Sequence, residues 1–83
     1  MKREKVISSM SFEKDGQQIA KLVQLAESFT SSIYLVEGEK TINAKSIMGM
    51  MTLNLLYGEE ATIVADGEDE ERAIQQLVEF LTD

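Results

Sequence analysis

The chain has no histidine and no cysteine among its 83 residues. Without imidazole, neither a Ser-His nor a Cys-His nucleophile pair can be built, and the usual general base is missing. Without thiols there are no disulfides, no structural zinc thiolates and no cysteine nucleophile, so nothing in the chain calls for an oxidising compartment. Long apolar runs are also lacking. No segment approaches the roughly 18 residues that span a bilayer. The basic opening stretch MKREKVISSM lacks the apolar run of about 7 to 15 residues found in a signal peptide. The expected location is the cytoplasm.

Positive charge is scarce, with 8 lysines and arginines against 15 aspartates and glutamates and a net charge of −7. Such a chain is repelled by nucleic acid and by anionic membranes over a Debye length of about 8 to 10 Å. Protein partners are therefore expected, with no direct nucleic-acid or membrane binding. Phosphate-cradling motifs are absent too. Neither Gly38 nor Gly58 begins a P-loop or a G-x-G-x-x-G sequence, and EGEKT only superficially matches phosphate-binding lysine motifs. The carboxylates fall mostly in turns and before the last helix, where they read as a solvated face rather than an acid/base dyad. No cofactor and no metal site is expected, and the chain is read as a non-enzyme.

What remains is an ordinary globular composition, 43% apolar and 28% charged, suited to a single domain over residues 1–83. The stretch from Lys5 to Phe12 alternates loosely, with Val6, Met10 and Phe12 on one face, and predicts a strand. Ile19, Leu22, Val23, Ala26 and Phe29 recur at helical spacing after Asp15 and Gln18, a capping pair, and predict a helix from about Gly16 to Phe29. SIYLV and TINA flank the turn EGEK and form a hairpin. A helix follows from Ser46 to about Leu56, stopped near Gly58. EATIVAD is a strand with Ala61, Ile63 and Ala65 inward. A last helix places Ala73, Ile74, Leu77, Val78 and Leu81 on one stripe behind the acidic run Glu68 to Glu71, which suits the positive end of the helix. The order is β-α-β-β-α-β-α. Strands that alternate in polarity imply an α+β fold, with helices covering one face of a mainly antiparallel sheet.

One stretch resists that bland description. In NAKSIMGMM, Ser46 stands just before an apolar run, where its hydroxyl can cap exposed backbone amides. The apolar residues that follow go almost all the way round the helix, more than one core-facing stripe can hide. Met50 and Leu53 are expected in the core. Ile47, Met48 and Met51 gather on a second face, an apolar docking surface beside a modifiable serine. A phosphate on Ser46 would face backbone amides and the positive end of a helix.

AKSIMG at residues 44–49, LVQ at 22–24 and the element order resemble the HPr family, the small phosphocarrier proteins of the bacterial sugar phosphotransferase system. The likeness covers nearly the whole chain without gaps. It implies an HPr-like open-faced β-sandwich, a four-stranded antiparallel sheet covered on one face by three helices. It further implies that Ser46 matches the serine phosphorylated by HPr kinase/phosphorylase. In the family the phosphoserine form binds a LacI-type catabolite regulator, and the residues matching Ile47, Met48 and Met51 contact partners.

The chain departs from the family at the start of the first helix. Where the family has a histidine, alanine, arginine and proline run, this chain reads DGQQ. Asp15 stands at the position of the lost phosphohistidine, and Gln17 at that of the arginine that steadies the phosphate. Asp15 is read as a helix cap. Phosphoryl transfer through a phosphohistidine cannot occur. The chain is thus similar to the histidine-less Crh-like members, although those keep the arginine that Gln17 replaces.

The expected function is regulatory, through Ser46 phosphorylation and docking to a protein partner in carbon catabolite regulation. A second reading is a divergent phosphotransferase-system accessory that binds enzyme I or permease domains without Ser46 phosphorylation. A third is a homodimer packed through the methionine helix.

Overall fold

Alternation in EATIVAD sets the centre of the fold. In the computed structural model, which describes residues 1–9, 16–53 and 58–82, this segment is the strand Glu60–Asp66, with Ala61, Ile63 and Ala65 buried. In chain order the elements are β1 (Lys2–Ile7), α1 (Gly16–Glu27), β2 (Ser32–Glu37), β3 (Lys40–Asn43), α2 (Ile47–Met50), β4 (Glu60–Asp66) and α3 (Glu70–Thr82). The strands form one sheet in the order β1-β4-β2-β3, with every neighbouring pair antiparallel. Strand β4 is therefore inserted between β1 and β2, pairing Ala61 with Val6 on one side and Ile63 with Leu35 on the other. The hairpin of β2 and β3 turns at Gly38, whose φ of +60° is the left-handed conformation that glycine adopts without a steric penalty.

The expected α+β open-faced sandwich is the architecture observed. Ile19, Leu22, Val23 and Ala26 of α1, Met50 of α2, and Ala73, Leu77 and Leu81 of α3 share one core with Ile33, Leu35, Ile42 and Ile63 of the sheet. Burying each of the larger aliphatic side chains contributes about 1.5 to 3 kcal/mol relative to leaving it exposed. The opposite sheet face carries Tyr34 and Val64, and Val64 is buried even there, between its cross-strand partners Arg3 and Tyr34.

Three boundaries differ from the sequence expectation. Strand β1 begins at Lys2 rather than Lys5, although only Val6 of its residues is buried. It is an edge strand, and its polarity is met by ion pairs from Lys5 to Glu60 at 3.7 Å and from Lys2 to Glu71 at 3.4 Å rather than by core contacts. It also ends at Ile7, short of the expected Phe12: Ser8 and Ser9 leave the strand, with the Ser9 amide bonded to the Leu81 carbonyl at 2.9 Å, while Met10 and Phe12 lie outside the described residues.

Helix α1 ends at Glu27 instead of Phe29. The Ser28 and Phe29 amides bond three residues back, to Leu25 and Ala26, and the Ser28 hydroxyl takes the Leu25 carbonyl at 2.6 Å. Helix α2 closes at Met50, whereas it was expected to run to about Leu56. The Thr52 and Leu53 amides tighten to i−3 carbonyls, and the Thr52 hydroxyl claims the Gly49 carbonyl at 2.6 Å. Residues 54–57 lie outside the described residues.

Candidate functional site

The segment before α2 is built by a side chain that imitates a backbone turn. Asn43 accepts the Lys45 amide on its side-chain oxygen at 2.9 Å and the Ser46 amide on its own carbonyl at 3.0 Å. Ala44 ties the same turn to the sheet through the Ile33 carbonyl at 2.9 Å. These bonds leave Ser46 in an extended conformation, φ −101° and ψ 113°, as an N-cap requires. Its Oγ accepts the Gly49 amide at 3.1 Å. The expected capping role of Ser46 is thus present in the structure, and the residue is half-buried.

Helix α2 then divides its side chains sharply. Met50 is 0% exposed and Leu53 2%, so both belong to the core as expected, while Ile47 is 47%, Met51 60% and Met48 82% exposed. The three outward residues follow Ser46 within one short helix and its C-cap, and each exposes an apolar side chain.

Two ammonium groups bind carbonyls just past helix ends. Lys45 reaches the Phe29 carbonyl at 2.6 Å, just beyond α1, and Lys40 reaches the Thr52 carbonyl at 2.8 Å, just beyond α2. Cations suit such carbonyl-rich helix ends. Neither contact was foreseen, because the sequence places a lysine beside Ser46 without showing where its long side chain goes.

Gln17 is exposed on the first turn of α1. Asp15 lies outside the described residues. Among the described residues no group of three or more histidine, cysteine, aspartate or glutamate side chains could hold a metal ion, and no helix is long and apolar enough to cross a membrane.

A family model described as PTS HPr component phosphorylation site matches residues 16–83. The HPr-like protein Crh of Bacillus subtilis is 38% identical over 81 residues, covering 98% of this chain and 95% of that one. Among solved structures, a phosphocarrier protein HPr from Bacillus anthracis superposes with a TM-score of 0.90 at 33% identity, covering 98% of this chain and 96% of the other. Crystalline Crh of Bacillus subtilis, described as a domain-swapped dimer, superposes with a TM-score of 0.77 at 38% identity, covering 98% and 93% of the two chains.

Proposed function

The chain belongs to the HPr family, and from that premise we propose that it is a Crh-like regulatory protein, phosphorylated on Ser46 and read by a protein partner in carbon catabolite regulation. The observation that carries this reading is the state of the Ser46 hydroxyl. Its oxygen is occupied as an acceptor from Gly49, and that bond does not use the O–H proton. A kinase base can remove the proton and the oxygen can attack a phosphoryl donor without first breaking the core. Immediately beside it, Ile47, Met48 and Met51 offer an apolar surface, so a docked partner would sense the added charge and the patch together.

Carrier activity through histidine has no counterpart here, since the sequence contains none. HPr kinase/phosphorylase and a LacI-type catabolite regulator are the partners that fit this reading. Incubation with the kinase and ATP, followed by intact-mass spectrometry, tests it. The expected result is a single added phosphate that disappears in Ser46→Ala. No added phosphate, or addition that survives the substitution, rejects it.

A second reading keeps the same surface but not the modification. The patch is already exposed without a phosphate, so it could serve a phosphotransferase-system protein such as enzyme I or a permease domain directly. Affinity for enzyme I in titration calorimetry, with no response to the kinase, favours that alternative. Self-association through α2 is a third use of the surface, read by light scattering over a range of concentrations.

A further inference from the structure

We propose that Met48 and Met51 form a reversible oxidation site that switches off the apolar surface of α2. The inference rests on the docking role proposed above for its consequence, but not for its chemistry. The chain has no cysteine, so the thioethers of its 5 methionines are its readiest two-electron nucleophiles. The fold sorts the three on and beside α2. Met48 and Met51 are 82% and 60% exposed, whereas Met50, between them in sequence, is 0% exposed. Their spacing of three places both sulfur-bearing chains on one side of the α2 turn beside Ile47. Met1 is also exposed, but its sulfur faces the Arg3 guanidinium at 3.8 Å and is remote in sequence from the patch.

The oxidant is a hydroperoxide. A sulfur lone pair attacks the terminal oxygen, the S–O bond forms as the O–O bond breaks, and the proton passes to the departing oxygen. The thioether loses two electrons and becomes a sulfoxide, while the hydroperoxide is reduced to an alcohol, or to water when it is hydrogen peroxide. Each product is a polar, chiral group in place of a flexible apolar one. Two such groups on a patch of three apolar side chains remove most of its apolar character. Methionine sulfoxide reductases A and B, supplied with a dithiol reductant, restore both thioethers and release water.

The test uses the full chain and limiting hydrogen peroxide. Peptide mapping by mass spectrometry should show Met48 and Met51 oxidised on the order of tenfold faster than Met50; equal rates overturn the site. Retention on a phenyl column should fall on oxidation and recover after treatment with the two reductases, and unchanged retention overturns the switch. In the double variant Met48→Leu, Met51→Leu, similar in volume and without sulfur, retention should not respond to peroxide. A response there assigns the effect to other methionines and overturns the proposal.

Calorimetric titration with HPr kinase/phosphorylase then separates the two readings. Binding by the reduced protein that weakens about tenfold on sulfoxidation supports control of docking. Equal affinities overturn that control. Failure of the reduced protein to bind, with the retention switch intact, overturns the docking role and leaves the oxidation site standing.

Discussion

Asp69 holds Ser31 from 38 positions along the chain: one carboxylate oxygen accepts both the hydroxyl and the backbone amide of Ser31, the amide at 3.0 Å. Its second oxygen accepts the Thr30 amide at 2.9 Å. A single side chain thereby fastens the head of α3 to the turn that carries the chain from α1 into β2. Lys45 binds the same turn at the Phe29 carbonyl, so the path from α3 to the edge of α2 is closed by hydrogen bonds at both ends.

The first prediction concerns pH. The Ser31 hydroxyl first, and then the Thr30 and Ser31 amides, stabilise the charged carboxylate and lower the Asp69 pKa from 3.8 to about 2. A group whose folded pKa is depressed contributes stability above its unfolded pKa and loses it as pH falls through the folded one. Denaturant midpoints should therefore decline between pH 4 and pH 2 through this residue. Asp69→Asn, which cannot ionise, should be less stable at neutral pH and should show a shallower decline in that window. A parallel decline in both proteins would remove Asp69 from the account.

The second prediction concerns Gly67, two residues before Asp69. A Cβ built on Gly67 would lie 2.7 Å from the Ser31 Cα and 2.6 Å from its Oγ, and the first of these is backbone that cannot rotate away. Gly67→Ala should cost about 3 kcal/mol in urea unfolding, at the upper end of ordinary overpacking. A loss below about 0.5 kcal/mol, the scale of neutral surface changes, would mean that the two segments are not packed this closely.

These contacts mark where the sequence stops being legible. Periodicity located β4 through Ala61, Ile63 and Ala65, and α3 through Ala73, Leu77 and Leu81, because burial of one face imposes a repeat that can be counted. Ser46 was legible for a local reason, since the cap bond spans only three residues. Asp69 was not. In sequence it is one acid among four around a helix start, and its partners are brought to it only by tertiary folding. The start of β1 was hidden for a related reason. Lys2, Arg3 and Glu4 carry no apolar alternation, and their strand conformation comes from pairing with Ala65, Val64 and Ile63 across the sheet.

The third prediction separates fold from surface on α2. Met50→Ala empties a site with no exposure and should cost about 2 to 5 kcal/mol, a large part of the stability of a domain this small. Met48→Ala removes a side chain that is 82% exposed and should stay within about 0.5 kcal/mol of the parent in thermal or chemical unfolding. Under the proposed function, Met48→Ala should nevertheless weaken binding to HPr kinase/phosphorylase. Docking that survives the loss of Met48 and Met51 together would relocate the partner surface away from α2.

The last prediction uses the two roles of Ser46 against each other. As an N-cap its oxygen accepts the Gly49 amide, so Ser46→Ala should cost about 1 kcal/mol by leaving that amide without its partner. Aspartate caps about as well as serine, and its charge suits a helix start, so Ser46→Asp should unfold within about 0.5 kcal/mol of the parent. Both variants should gain no phosphate from HPr kinase/phosphorylase and ATP. Loss of modification in Ser46→Ala alone could reflect a frayed α2. Loss in Ser46→Asp, with stability retained, isolates the hydroxyl as the acceptor. If Ser46→Asp is as unstable as Ser46→Ala, the cap geometry at the head of α2 is wrong, whatever the kinase does.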